Sequence, residues 1–225
     1  MMTYNPPYYA KLLENFGLKK EKDLFAYYLS HDKYCSEKME RVNKLLQERH
    51  SFSIRTMNMK KFHKDLELVK RIYNAGWSRN WGAVPLTDEE IEVLAADLKS
   101  VVDPDLVLFI EKDGEAIGFA LKLPDVNIAL KHNKSGWLLP GLFYLWKYKK
   151  KINFVRIIVL GVIPEYLNSG AGGLLLYETG KRSVAKGYIY GEASWVLEDN
   201  VRMVRAAETM KGEPYKKYRI YQIPI

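Results

Sequence analysis

Residues 154–162, Phe-Val-Arg-Ile-Ile-Val-Leu-Gly-Val, form a nearly continuous apolar, β-branched run. Its length and composition predict a central strand buried on both faces. The run ends at Pro164. A short polar, glycine-rich stretch, Leu167-Asn168-Ser169-Gly170-Ala171-Gly172-Gly173, then opens a helical pattern reaching about Lys186. Strand, loop and helix in this order gather unpaired backbone N–H groups at a helix N-terminus, where the helix dipole is positive. Such a place holds an anion, typically a pyrophosphate, without a charged side chain. Small residues matter there because a Cβ keeps the anion off the backbone. Of two common phosphate loops, the first fails and the second fits poorly. No Gly-Lys-Ser/Thr follows, and the loop comes late in the chain with no acidic residue in the strand context a dinucleotide fold requires.

The other segments read as alternating helices and strands. Asn5 ahead of Pro6-Pro7 predicts a helix that stops at Gly17, and the aromatic stretch 24–29 predicts a strand. Residues 36–49 predict a polar helix acting as a connector. From Ser51 the pattern restarts with a strand over 52–57, a helix over 59–76, and a Thr87-Asp88-Glu89-Glu90 capping box opening a helix that buries Ile91, Leu94 and Leu98. Asp113-Gly114 predicts a hairpin between strands 106–111 and 116–123. Residues 125–146 read as a helical insertion, and 188–196, 201–210 and 215–223 as strand, helix and strand. The whole predicts an α/β domain, a mixed central sheet flanked by helices.

The formal net charge is +8, and residues 131–156 hold 7 basic and no acidic side chains. The excess therefore sits in one insertion, where it suits a solvated helix end, a phosphate backbone or an anionic membrane surface. No stretch approaches a membrane span; Trp137 to Trp146 is the longest candidate and contains Pro140 and Gly141. The start lacks a signal-peptide pattern and Cys35 is the single cysteine, which excludes an internal disulfide framework and predicts a cytoplasmic protein. None of His31, His50, His63 and His132 has metal-ligand spacing, so no metal is expected, and no Gly-x-Ser-x-Gly elbow is present.

Leu160-Gly161-Val162-Ile163-Pro164-Glu165-Tyr166, with Leu167 to Gly172 behind it, resembles the acyl-CoA motif of the GNAT N-acyltransferases: strand, Val-x-Pro-x-Tyr, then Arg/Gln-x-x-Gly-x-Gly/Ala opening a helix. The element order of residues 51–225 resembles that family too, and Asn200 matches the Asn that starts its last helix. Asn5 and Gly17 repeat the spacing of Asn200 and Gly212. Residues 1–30 therefore resemble the closing helix and strand of a preceding, truncated GNAT-like unit, with 31–50 as connector and 51–225 as the complete unit.

The resemblance implies acetyl-CoA as acyl donor, held by Leu160, Gly161, Val162, Leu167, Asn168, Ser169, Gly170, Ala171, Gly172, Gly173 and Asn200. It also implies a backbone N–H after Val162 near the thioester carbonyl. Leu167 stands where the family carries Arg or Gln. Ala207 stands seven residues after Asn200, where many members carry a proton-donating Tyr. Tyr215 or Tyr218 is then the nearest hydroxyl, and Glu198, at the end of the strand before Asn200, the best-placed carboxylate for a base. Trp77 and Trp81, with Trp195, are read as walls of an acceptor site. The implied activity is transfer of an acyl group to a small-molecule or peptide amine. The alternatives are a non-catalytic acyl-CoA-binding module and, as a third class, a basic nucleic-acid-binding protein; under the leading reading no nucleic-acid partner is expected. The insertion 137–146 is read as a cover for the cleft, a contact between two copies, or a membrane-surface element. Strand 24–29, exposed if alone, is expected to be covered, with a second chain in a homodimer as one cover.

Overall fold

The computed structural model describes residues 3–30, 33, 37–99 and 102–223, the side chains of residues 38, 97 and 98 excepted. Cys35, His31 and the side chain of Leu98 lie outside the described residues. Among the described residues, seven strands form a mixed sheet flanked by helices: β1 (Lys19–Ser30), β2 (Phe52–Thr56), β3 (Val107–Lys112), β4 (Glu115–Pro124), β5 (Phe154–Val162), β6 (Tyr190–Leu197) and β7 (Glu213–Gln222), in the order β2-β3-β4-β5-β6-β1-β7. The helices are α1 (Tyr8–Asn15), α2 (Glu37–His50), α3 (Phe62–Trp77), α4 (Asp88–Lys99), α5 (Asn127–Leu130), α6 (Leu138–Tyr148), α7 (Ala171–Ala185) and α8 (Val201–Thr209). The chain divides into two compact units, one of residues 1–30, 124–156 and 190–225, the other of 31–123 and 157–189.

In the second of these units, β3, like residues 116–120 of β4 and unlike β5, is buried on both faces. Its Val107, Leu108, Phe109 and Ile110 are all at most 1% exposed. Alternation along the strand sends Val107 and Phe109 into a cluster with Phe62, Leu66 and Ile72 of α3 and Ile91 of α4. Leu108 and Ile110 enter a second cluster with Ala171, Leu174 and Leu175 of α7. β5 has the predicted bounds, yet residues 158–161 are only half-buried. The apolar run marked a strand correctly but overstated its burial. The hairpin turn forms at Asp113 and Gly114, both at positive φ (51° and 84°). The capping box closes reciprocally: Thr87 N–H donates to Glu90 Oε2 at 2.9 Å, and Glu90 N–H donates to Thr87 Oγ1 at 3.2 Å.

In the first unit, α1 is capped by Pro7 rather than Asn5, because Tyr9 N–H already bonds to the Pro6 carbonyl. β1 is longer than its aromatic stretch and takes in the charged run 19–23. Both of its edges are filled by this chain, antiparallel to β6 (Leu24 opposite Leu197) and to β7 (Asp23 opposite Arg219), so covering the strand needs no second copy. The register explains the charges. Asp23 is 2% exposed and accepts from Arg219 Nε (2.7 Å) and Nη2 (3.1 Å), with Lys217 Nζ at 2.8 Å and Lys20 Nζ at 3.1 Å. Arg219, foremost, with Lys217 and Lys20 outweighs the opposing effect of burial and holds the Asp23 carboxyl well below the usual carboxylate range.

A carboxylate with a lowered folded-state pKa stabilises the fold above its unfolded value near pH 4, and that contribution disappears as the pH falls through the folded value. Asp23→Ala is expected to lower unfolding free energy at neutral pH by about 3 kcal/mol. It should also flatten the fall in stability below about pH 5. Urea unfolding across an acid pH series checks both, and a variant with an unchanged acid slope contradicts the assignment.

Candidate functional site

β5 ends and Ile163 N–H donates to the Ile117 carbonyl at 2.9 Å, so the amide directly after Val162 is committed to the hairpin strand and is not a free donor to a thioester. A short 3₁₀ turn, Pro164–Tyr166, reverses the chain. The Tyr166 ring meets Phe52 edge to face, the ring centroids 6.5 Å apart, and Lys112 Nζ lies 5.5 Å from its centroid. Ser169 Oγ donates to the Tyr166 carbonyl (2.7 Å) and accepts from Ala171 N–H (3.3 Å), bracing the loop from inside. Gly170 caps α7 at φ 85°, a left-handed conformation that favours glycine. A Cβ there would also lie 3.1 Å from the Leu46 side chain of α2.

The amides of Gly172 and Gly173 fall in the first turn of α7, where N–H groups have no intrahelical acceptor. A Cβ on Gly173 would meet nothing within 4 Å, whereas one on Gly172 would meet the Val162 side chain at 3.7 Å, so the open space lies at position 173. Asn168 and Leu167 are exposed beside it. Open, unpaired donors at the positive end of a 15-residue helix fit the diphosphate of a CoA-type molecule. The loop carries no basic side chain.

Close backbone packing sets the position of β5. A Cβ on Gly161 would lie 2.0 Å from the Trp77 ring, and one on Gly118 would lie 2.8 Å from the Gly161 carbonyl oxygen. Trp77 stacks on Tyr73 (centroids 4.9 Å apart, 15°) and rests on Phe119 at 6.4 Å. Its ring is thus used in packing α3 against β5, whereas Trp81 is 41% exposed. A cleft of about 640 Å³ runs along residues 55–61 and Asp65. Its principal charges are already satisfied, since Arg55 donates to Asp65 (2.8 and 2.9 Å) and to Glu111 (2.6 Å).

The remaining sequence-predicted residues belong to the other unit. Asn200 caps α8, its side-chain oxygen accepting from Met203 N–H at 3.2 Å. Glu198 accepts from Lys20 Nζ (2.7 Å) through one oxygen and from Asp23 N–H (3.0 Å) through the other. The Lys20 contact lowers its pKa, so the carboxylate is a clamp on β1 and a weak base. Trp195 is 54% exposed, with the Arg156 guanidinium 5.8 Å from its ring centroid and Tyr218 edge-on at 5.9 Å.

Tyr215 donates its phenol hydrogen to Glu192 in a short hydrogen bond. Glu192 is 2% exposed and also accepts from Lys216 (2.8 Å) and Ser194 Oγ (2.5 Å). Burial raises this carboxyl, and Lys216, Ser194 and Tyr215 together more than offset that, leaving it below its ordinary value. Burial, and then Glu192, pushes the Tyr215 phenol up to about 12. Tyr215 is therefore a neutral hydrogen-bond donor throughout the working pH range. Sequence reasoning named Tyr215 and missed Glu192, Ser194, Arg156 and Lys216. The available signal was a glutamate inside an otherwise apolar strand, which demands a partner when buried. Among the described residues no group of three His, Cys, Asp or Glu could hold a metal ion.

No family model matches the chain. It is 36% identical over 230 residues to the bacterial ceramide synthase of Caulobacter vibrioides, covering 99% of this chain and 59% of that protein. The chain thus spans little more than half the length of that curated relative. Among solved structures, a GCN5-related N-acetyltransferase from Sphaerobacter thermophilus superposes with a TM-score of 0.62 at 15% identity, over 95% of this chain and 55% of that one. A tandem GNAT protein from the clavulanic acid biosynthesis pathway superposes at 0.57 with 11% identity, over 97% and 59%.

Proposed function

The chain has the fold of the GNAT N-acetyltransferases, and on that premise we propose that it transfers an acyl group from acyl-CoA to the amine of a long-chain lipid. The observation that carries acyl-CoA is the loop 163–173, with its open amides at Gly172 and Gly173. The choice of a lipid amine over the small-molecule or peptide amines of the sequence reading rests on the identity with the bacterial ceramide synthase along 99% of this chain.

In the reaction the neutral amine nitrogen attacks the thioester carbonyl, the C–N bond forms, and the C–S bond breaks. The amine proton goes to solvent and the CoA thiolate leaves, to be protonated. Thiols titrate near pH 8.5, so the thiolate departs without full protonation. Glu198, paired at both oxygens, is not needed as a base for an amine that binds neutral. The Tyr215 phenol hydrogen is committed to Glu192, so the leaving thiolate takes its proton from solvent.

Release of free CoA, measured over acetyl- to palmitoyl-CoA and over sphingoid, peptide and small polar amines, tests the reading. The largest rate is expected with the sphingoid amine. Binding of CoA without turnover on any amine would identify a non-catalytic acyl-CoA module, the reading that Ala207, 2% exposed on α8, favours. Failure to bind CoA at all would remove both. Tyr215→Phe removes one hydrogen bond to the buried Glu192 and is expected to lower unfolding free energy by about 2 kcal/mol in chemical denaturation, with CoA affinity unchanged. A variant of unchanged stability would show that the Tyr215–Glu192 bond does not support the fold.

A further inference from the structure

The geometry points to α6 and the lysines around it as a docking surface for an anionic lipid bilayer, a function independent of the acyl-transfer reading. The helix has two faces of different kinds. Its inner face, Gly141, Tyr144, Leu145 and Tyr148, is buried or half-buried. A Cβ on Gly141 would lie 3.1 Å from Asn133 Nδ2 and 3.8 Å from Leu130, and Tyr148 stacks on His132 with centroids 4.2 Å apart. The turn ahead of it is braced as well: Asn133 Nδ2 donates to the Trp137 carbonyl at 2.9 Å, and Ser135 Oγ to Asn133 Oδ1 at 2.8 Å. The helix is therefore held by one side, and the other side is presented outward in a fixed orientation.

That outward side is wholly apolar. Leu138 is 75% exposed, Leu139 78%, Leu142 53%, Phe143 52% and Trp146 78%, and Trp137, just before the helix, is 76% exposed. At about 100° per residue, positions 138, 139, 142, 143 and 146 fall within a single arc of about 140°. A continuous apolar face of this kind is costly in water and marks an interaction surface. The two exposed tryptophans stand at opposite ends of the helix, as amphipathic aromatics do at a headgroup boundary. No helix among the described residues is long and apolar enough to cross a membrane, so the face suits a helix lying in the interface.

The charge around the helix selects the occupant. Lys131, Lys134, Lys147, Lys149, Lys150 and Lys151 lie in a stretch with no acidic residue, and all six are exposed. No carboxylate pairs with any of them among the described residues. Lys147 and Lys151 instead lie over the Tyr148 ring at 5.6 and 5.2 Å. A second copy of the same face would bring six lysines against six, so self-association is opposed by the charge that favours an anionic bilayer.

Co-sedimentation of the 225-residue chain with phosphatidylcholine vesicles containing about one-third phosphatidylglycerol tests this. Binding is expected there and at least about tenfold weaker with phosphatidylcholine alone. Leu139→Ser with Phe143→Ser should weaken binding at least about tenfold. Lys149→Gln with Lys150→Gln should weaken it about 25-fold, near fivefold for each lysine, and added salt should reproduce that loss. Circular dichroism and CoA titration confirm that both variants remain folded. Absent vesicle binding by the parent chain overturns the proposal, as does binding unmoved by either pair. A salt-resistant dimer dissociated by the Leu139/Phe143 pair would assign the face to self-association instead.

Discussion

Gly161→Val is expected to lower unfolding free energy by about 3 kcal/mol, with acyl-CoA binding falling alongside. The first carbon added at this position lies 2.0 Å from the Trp77 ring, well inside contact distance. Neither partner can yield cheaply. Trp77 is stacked on Tyr73 and backed by Phe119, while Gly161 lies in β5, hydrogen-bonded beside β4 in the sheet. Relief of the clash must therefore move β5 or α3, and β5 leads directly into the loop 163–173 proposed to hold CoA. Chemical denaturation gives the stability, and calorimetric titration with CoA gives the binding. Combining Gly161→Val with Trp77→Leu should restore part of the loss, since the smaller side chain vacates the space. Additive effects in that double variant would show that the Trp77–Gly161 contact does not govern the site.

The second large effect separates charge from folding. Gly173→Glu should weaken CoA binding about a hundredfold, the cost of about 3 kcal/mol expected for a carboxylate placed against a bound phosphate near a surface. The same substitution should leave thermal stability unchanged or slightly raised. Position 173 has nothing within 4 Å of a new Cβ, glycine is a poor helix former, and an acid in the first turn of α7 interacts favourably with the dipole. Gly173→Gln supplies the same bulk without the charge and should cost about tenfold. Equal losses for Glu and Gln would mean that space alone matters. Unchanged affinity in both would place the CoA diphosphate elsewhere.

Legibility in the sequence followed the range of the interactions. The loop from Pro164 to Gly173, the Asp113-Gly114 turn, the Thr87–Glu90 box and the Asn200 cap were readable because each rests on groups within a few residues of one another. The apolar face of α6 was visible as a composition, with its three roles undecided. Burial was less readable: β5 and β3 are both apolar runs, and only β3 is covered on both sides. Glu198 looked like a base because it ends a strand beside Asn200. Its pairing with Lys20 spans 178 positions and leaves no local trace.

The sequence by itself determined the α/β element order, the strand–loop–helix around the glycine-rich stretch 167–173, and the confinement of excess positive charge to residues 131–156. Those properties follow from backbone conformational preference and composition, which act locally. Only the tertiary structure decided that β1 lies between β6 and β7, that Asp23 meets Arg219 196 positions away, that Tyr215 is tied to a buried Glu192, and that α6 turns its apolar face outward. Each of these depends on which distant surfaces exclude water together, a choice made by burial across the assembled sheet rather than by any single segment.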